Sequence, residues 1–359
     1  MKRDEELVLM KGAHVLGEAA IRAGCRYYFG YPITPQNEVP EYMSQRLPEV
    51  GGTFLQSESE LAAINMVIGA SMAGGRVMTS SSSPGISLMQ EGLSYIAGQE
   101  LSVVVSDMIR GGPGLGNVAP AQSDYFQATR GGGHGDYRQI VLAPASIQEL
   151  ADLTYEAFDL ADKYRMAVMI LGDGMVSQMM EPVRLPAMRD LSDLPKKDWI
   201  LDGAEGRPSR ILRSLLLDLG VLEEHNWKLA RKYEIIEREE VRYEQFMTED
   251  ANMLVVAFGT AARIAKGAVK RARREGLPVG LFRPITLWPF PKEELKELGR
   301  RIHNILVFEF NAGQMVEDVQ AAVCDQAEVI SYARPGGTVP TAQEVARVIA
   351  GQYYQREIH

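Results

Sequence analysis

Short apolar runs separated by stretches of helical spacing recur along this chain, and that alternation constrains its fold more than any other feature. Residues 101–106 read Leu-Ser-Val-Val-Val-Ser, the near-continuous pattern of a strand covered on both faces. Further short strands are expected over 26–30, 75–79, 139–142 and 167–171. Between them, residues 13–23, 60–73 and 86–98 set apolar side chains three and four apart, as helices do. Strands separated by helices predict an α/β fold, a doubly wound parallel sheet with helices on both faces. Ligands in such sheets bind where loops leave the carboxyl ends of the strands. Residues 31–34, 80–85 and 110–116 fall at those places and are the candidate site loops.

The pattern changes after residue 185. Residues 186–210 are rich in Pro, Asp, Lys and Gly and read as a linker. Residues 209–246 are charged with helical spacing, and Leu212, Leu215, Leu216 and Leu219 share one side; a coiled arm, a strap and a solvated connector all fit. A second α/β unit starts near Asn252, with strands expected over 253–258, 277–282 and 305–309 and helices over 262–275, 291–302 and 341–350. The expected organisation is a first domain over 1–185, a linker and helical connector over 186–248, and a smaller domain over 249–359.

The 359 residues suffice for two ordinary cores, and a formal net charge of −9 argues against nucleic acid or an anionic membrane as the main partner. The first residues form no apolar signal segment and no run approaches a membrane span, which leads us to expect a cytoplasmic protein. Cys25 and Cys324 have no metal-like spacing; both are expected to be buried reduced thiols, and they offer no iron–sulfur or structural zinc site.

Several residues carry candidate chemistry. Glu60 opens a largely apolar helix in Ser57-Glu58-Ser59-Glu60-Leu61. Its carboxylate either complements the dipole of an exposed helix end or is partly buried and shares a proton with a ligand nitrogen. Glu58, about 160° round the helix, is the internal comparison. Tyr31-Pro32-Ile33-Thr34-Pro35 places proline on both sides of Ile33 and Thr34. That makes either a merely rigid turn or one that aims the Thr34 hydroxyl at a substrate carbonyl or carboxylate. Arg110, ahead of Gly111-Gly112-Pro113-Gly114, can clamp a carboxylate through two hydrogen bonds or make a surface ion pair. The hydroxyls from Thr79 to Ser83 can cap the next helix and face a ligand. His134, in Gly133-His134-Gly135-Asp136, is either a proton donor at a site or a loop-packing group. Gly114-Leu115-Gly116-Asn117-Val118-Ala119 comes too long after its strand for a dinucleotide loop, and Pro120 stands where the helix should start.

Taken in order, Phe29-Gly30-Tyr31-Pro32-Ile33-Thr34-Pro35, Glu60-Leu61-Ala62-Ala63-Ile64 with Gly69-Ala70, residues 79–85 with Ser87-Leu88-Met89, Arg110-Gly111-Gly112-Pro113 and Gly133-His134-Gly135-Asp136 resemble one family. It is the 2-oxoacid:ferredoxin oxidoreductases, and the match is to the alpha-type subunit carrying the pyrimidine-binding domain of thiamine diphosphate. Gly259, Arg263, Ile264, Ala265, residues 283–291 and Asn311-Ala312-Gly313-Gln314-Met315 resemble that subunit's second domain, of the transketolase carboxyl-terminal type. The resemblance covers nearly the whole chain and is weakest over 186–245. It is nearest to the branched-chain, 2-oxoisovalerate members, with the 2-oxoglutarate members next.

The resemblance implies a thiamine-diphosphate pyrimidine-type α/β domain plus a smaller transketolase-like one. It implies that Glu60 hydrogen-bonds the aminopyrimidine, that Thr34, Arg110 and Ile33 contact the 2-oxoacid, and that Tyr31, Pro32, Ser82, Ser83 and Pro84 line the cofactor. The implied activity is oxidative decarboxylation of a 2-oxoacid to acyl-CoA and CO2, with electrons passed to ferredoxin. Gly172-Asp173-Gly174 resembles the metal-binding triplet of thiamine-diphosphate enzymes, but the next Asn is Asn226, in another segment, so the triplet is expected to be a strand-end turn. Mg2+ and [4Fe-4S] clusters are therefore expected on partner chains: a diphosphate-binding beta-type subunit, a gamma-type subunit and a ferredoxin-like delta-type subunit. A noncatalytic assembly subunit is the rival expectation, opposed by the retention of Glu60, Thr34 and Arg110. A self-contained nucleotide-dependent enzyme would need a phosphate-binding loop that the sequence does not show.

Overall fold

The computed structural model describes residues 7–357. The first unit runs β1 (Val8–Lys11), α1 (Gly12–Arg22), β2 (Tyr27–Gly30), α2 (Glu38–Glu49), β3 (Thr53–Gln56), α3 (Glu60–Met72), β4 (Val77–Ser81), α4 (Ser83–Gln99), β5 (Val103–Ile109), α5 (Tyr125–Arg130), β6 (Ile140–Leu142), α6 (Ile147–Tyr164), β7 (Ala167–Asp173), α7 (Gly174–Gln178) and β8 (Met180–Val183). Then come α8 (Val221–Glu239), β9 (Tyr243–Phe246), β10 (Met253–Val256), α9 (Gly259–Arg274), β11 (Val279–Pro284), β12 (Thr286–Trp288), α10 (Lys292–Gly299), β13 (Asn304–Glu309), α11 (Met315–Val323), β14 (Glu328–Ala333) and α12 (Ala342–Glu357).

The α/β fold expected from the alternation is the one adopted. The large sheet has the order β12-β6-β7-β5-β4-β2-β3, and all its pairs are parallel except β12 with β6. Every residue of β5 and β7 is buried, as central parallel strands require. After β2 the chain steps outward to β3, then returns to lay β4 on the other side of β2. This reversal puts α2 and α3 on opposite faces and opens a crevice at the carboxyl ends of β2 and β4.

The second sheet, β14-β13-β10-β11-β9, is parallel except for the edge strand β9. Two features lock the units together. Strand β12 leaves the second unit to pair with β6 of the first sheet. Buried Gln122 accepts from the Phe310 amide (3.1 Å), donates to the Phe258 carbonyl (2.9 Å), and its backbone bonds Phe310 and Asn311. No described helix is long and apolar enough to cross a membrane.

Three expectations need correction. Residues 209–220 are not helical; the connector helix begins only at Val221. Of the leucines that suggested an earlier start, Leu212 and Leu216 are half-buried, but Leu215 is 66 % exposed and Leu219 fully so, and an apolar stripe packed at only some of its positions does not sustain a helix. Residues 80–85 are not all loop, because β4 runs to Ser81 and α4 starts at Ser83, with Pro84 in its first turn. Cys25 is buried, and burial pushes its thiol up to about 12, but Cys324 is exposed, at a left-handed residue just past α11.

Candidate cofactor and substrate site

The three candidate loops follow β2, β4 and β5, which are neighbours in the sheet, so their distant sequence segments converge on one crevice. Glu60 reaches it from β3 through α3. The Ser59 hydroxyl caps α3 by accepting from the Ala62 amide at 3.2 Å, which places Glu60 in the first turn. Glu60 is only 6 % exposed, so it is not the solvated end-of-helix carboxylate. Glu58 is exposed, but for a different reason from the expected helical rotation: it precedes the helix altogether.

The Glu60 carboxylate is held by small neighbours. Ser81 donates to its Oε1 at 3.4 Å, the one side-chain hydrogen bond it receives among the described residues. A Cβ added at Gly85 would lie 2.4 Å from Glu60 Oε1 and 2.0 Å from Ser81 Oγ, so only glycine fits where α4 crosses α3. Gly92 serves the same approach one turn and more along, against Ile64. At the ends of β3 and β4, the Ser57 and Ser82 hydroxyls are buried without partners. A desolvated carboxylate with a single weak bond and orphaned hydroxyls beside it form a donor and acceptor set short of its ligand. That set fits a nitrogen heterocycle bearing an amino group.

Thr34 and Arg110, 76 residues apart, meet. Arg110 Nη1 donates to the Thr34 carbonyl at 3.0 Å, Nη2 to the Leu115 carbonyl at 3.3 Å, and its Nε is buried without a partner. The Thr34 hydroxyl accepts from Asn37 at 3.3 Å and stays exposed. Ser83 stands behind Arg110: its hydroxyl accepts from the Arg110 amide at 3.1 Å and donates to the Arg110 carbonyl at 3.2 Å. The hydroxyl capping expected of 79–83 is absent at Ser82, the N-cap of α4, whose side chain makes no cap bond. Tyr31 is exposed, and Pro32, Ile33 and Pro84 are half-buried along the same rim.

His134 lies elsewhere. It lines a cavity of about 410 Å³ between α4, the glycine-rich loop and α8, together with His225 and Asn226, and its carbonyl accepts from Ser94 at 2.7 Å. Asp173 ends β7 as a turn. It caps α7 by accepting from the Met175 and Val176 amides (2.9 and 3.1 Å) and takes the Thr260 hydroxyl, while burial raises its carboxyl's pKa. Among the described residues no group of three or more His, Cys, Asp or Glu is placed to hold a metal ion. Sequence reasoning missed Gln36, whose buried Oε1 accepts from Ser80 at 2.5 Å, and the buried carboxyl of Asp107. An aspartate inside the Val-rich run of β5 was the available signal.

Residues 18–245 match the family model described as pyruvate flavodoxin/ferredoxin oxidoreductase, thiamine-diphosphate-binding, and residues 251–345 match pyruvate:ferredoxin oxidoreductase core domain II. The chain belongs to the 2-oxoacid:ferredoxin oxidoreductases, as an alpha-type subunit. This oxidoreductase subunit is 48 % identical to the ketoisovalerate oxidoreductase subunit VorB of Methanothermobacter marburgensis, over 95 % of this chain and 96 % of that one. Identity to the 2-oxoglutarate synthase subunit KorA of Archaeoglobus fulgidus is 36 %, over 97 % and 99 % of the two chains. A solved 2-oxoglutarate:ferredoxin oxidoreductase from Magnetococcus marinus, with 2-oxoglutarate, coenzyme A and succinyl-CoA bound, superposes with a TM-score of 0.86 at 27 % identity. That match covers 97 % of this subunit but 65 % of the solved chain, so this subunit spans about two thirds of its length. A split-gene transketolase at 14 % identity and a TM-score of 0.60 shares the fold alone.

Proposed function

We propose that this subunit holds the pyrimidine half of thiamine diphosphate and receives the 2-oxoacid in an oxidoreductase that yields acyl-CoA and CO2 and passes electrons to ferredoxin. The observation that carries the proposal is Glu60: a buried carboxylate, pinched where α3 meets α4, with one long side-chain hydrogen bond and no ion pair among the described residues. When bound, thiamine diphosphate supplies the carbanion chemistry of decarboxylation. This chain's own residues do the rest. Glu60 accepts a hydrogen bond from a ring nitrogen and holds the proton that the ring shares with it. Ser57 and Ser82 have the free hydroxyls to orient the ring, with Tyr31, Pro32, Ser83 and Pro84 around them. Arg110 and Thr34 receive the substrate carboxylate and carbonyl, and Ile33 packs against its side chain.

The branched-chain 2-oxoisovalerate is the favoured substrate, supported by the higher identity to the ketoisovalerate relative; 2-oxoglutarate is the alternative, supported by the KorA relatives. Mg2+, the cofactor's diphosphate and the [4Fe-4S] clusters belong to beta-, gamma- and delta-type partners, and the assembly works in the cytoplasm. Leu61, Leu88, Leu115 and Val118, all exposed on the elements that build the crevice, suit a surface that a diphosphate-binding partner covers. The test is Glu60→Gln in the complex reconstituted with its partner chains and assayed with a panel of 2-oxoacids, coenzyme A and a one-electron dye. Turnover should fall by about a hundredfold or more while assembly is intact. Activity near that of the unsubstituted complex would refute the role of Glu60.

A further inference from the structure

Gln36 follows the turn that carries Ile33 and Thr34, and it is fully buried. Glutamine is mostly exposed in folded proteins; this one folds its side chain under the turn and onto the sheet. Its Oε1 accepts from the Ser80 hydroxyl of β4 at 2.5 Å, and the Ser80 oxygen lies 2.7 Å from the Tyr28 hydroxyl of β2. Ser80 has a single hydroxyl proton and gives it to Gln36, so Tyr28 donates to Ser80. The three side chains make one directed chain, from Tyr28 through Ser80 to Gln36, and all three residues are buried from solvent.

The other holds on the turn are on its backbone carbonyls. Ile33 accepts from the Gln36 amide at 3.0 Å, Thr34 from Arg110 at 3.0 Å, and Pro35 from Ser177 and Gln178 at 3.1 and 2.8 Å. These fix the turn to itself, to the residue after β5 and to α7. The Gln36 side chain fixes it to β4. Ser81, the next residue of β4, points to the opposite face and donates to Glu60 Oε1 at 3.4 Å. Adjacent residues at one strand end thus hold the turn of Thr34 on one side and the carboxylate of Glu60 on the other. Every residue of β4 is buried, and a close-packed strand of this kind has little room to shift.

We propose that Gln36 and Ser80 are positioning residues for the 2-oxoacid: their hydrogen bond fixes the place of Ile33 and Thr34 relative to Glu60. The part concerning substrate deepens the function proposed above and rests on it; the anchoring of the turn does not. Breaking the bond leaves a buried group unpaired and frees the turn, while the contacts of Glu60 with Ser81 and Gly85 stay as they are. The loss therefore falls on reception of the substrate.

The experiment uses the reconstituted complex with Gln36→Met, which is close in shape and lacks the amide, with Ser80→Ala, with both together, and with Tyr28→Phe. The first readout is amide hydrogen exchange over residues 33–39, followed by mass spectrometry. Exchange should quicken about tenfold in each of Gln36→Met and Ser80→Ala, and no further in the double variant, because each removes the same bond. The second readout is KM for the 2-oxoacid, which should rise about tenfold in the same three variants with kcat and thiamine diphosphate affinity little changed. Tyr28→Phe strikes the same buried cluster but leaves the bond from Ser80 to Gln36, so it should lower the midpoint of urea unfolding without moving KM. Unchanged exchange in both single variants, or additive effects in the double, overturns the anchor. Faster exchange with an unaltered KM overturns the positioning role, and so does a rise in KM in Tyr28→Phe equal to that in Gln36→Met. If Gln36→Met does not assemble, Ser80→Ala decides both points. If the unsubstituted complex turns over no 2-oxoacid, the function proposed above fails and hydrogen exchange decides the anchor.

Discussion

At the scale of single residues, the site is set by what is small as much as by what is charged. Glu60 is buried because Gly85 lets α4 close over it, and a methyl group there would overlap both Glu60 and Ser81. Gly85→Ala should therefore displace the carboxylate, cutting turnover of the complex by about a hundredfold, at a stability cost of about 1–3 kcal/mol for the overpacking. Steady-state assay and urea unfolding of the same preparation separate the two effects, and unchanged kcat would mean that the Glu60 position does not matter. The residues themselves were legible in the sequence. Glu60 stood out as a carboxylate opening an apolar helix, and Thr34 and Arg110 as polar groups in turns after strands. Their meeting was not legible, because the contact between Arg110 and the Thr34 carbonyl depends on β2 and β5 flanking β4 in the sheet order. Asp107 was hidden for the opposite reason: in a run of valines its neighbours spoke for the strand.

At the scale of elements, periodicity located β5, β7, α1 and α3 within a few residues, because each buries a face that the pattern records. It failed where burial and pattern part company. Helix α2 carries Pro40 in its first turn and Pro48 near its end, which break its signature, and of the leucines in residues 209–220, Leu215, Leu217 and Leu219 stay exposed. Helix α8 is docked largely by charge. Burial pushes the Glu100 carboxyl up, but Lys232 and Lys228, both bonded to it, hold it below its usual range. A lowered folded value contributes stability above the ordinary carboxylate range, lost as pH falls through the folded value. Hydrogen exchange in Val221–Glu239 should therefore accelerate relative to β5 when the pH is taken from neutral into the acid range. Equal protection ratios at both pH values would show that Leu229 and Ile236, the buried apolar residues of α8, carry the docking alone.

At the scale of the whole molecule, the two sheets are joined by a shared strand and a buried amide, and the proposed function makes the site on the first of them half of a larger one. Gln122 is central to the first part, since its side chain satisfies the Phe310 amide and the Phe258 carbonyl inside the junction. Gln122→Ala strands both, at about 1–3 kcal/mol for each group, and chemical denaturation should show the loss. A change under about 0.5 kcal/mol would mean that water or repacking replaces the amide. None of this junction was readable in advance, because its partners lie far apart in sequence and only the folded chain juxtaposes them. The second part, the proposal that Glu60 meets a ring nitrogen of a cofactor shared with another chain, is tested most directly by a structure of this subunit assembled with its partners and thiamine diphosphate. We predict the Glu60 carboxylate within hydrogen-bonding distance of the aminopyrimidine ring, with the diphosphate held by another chain. A cofactor bound away from Glu60, leaving that carboxylate open to water, would contradict the account.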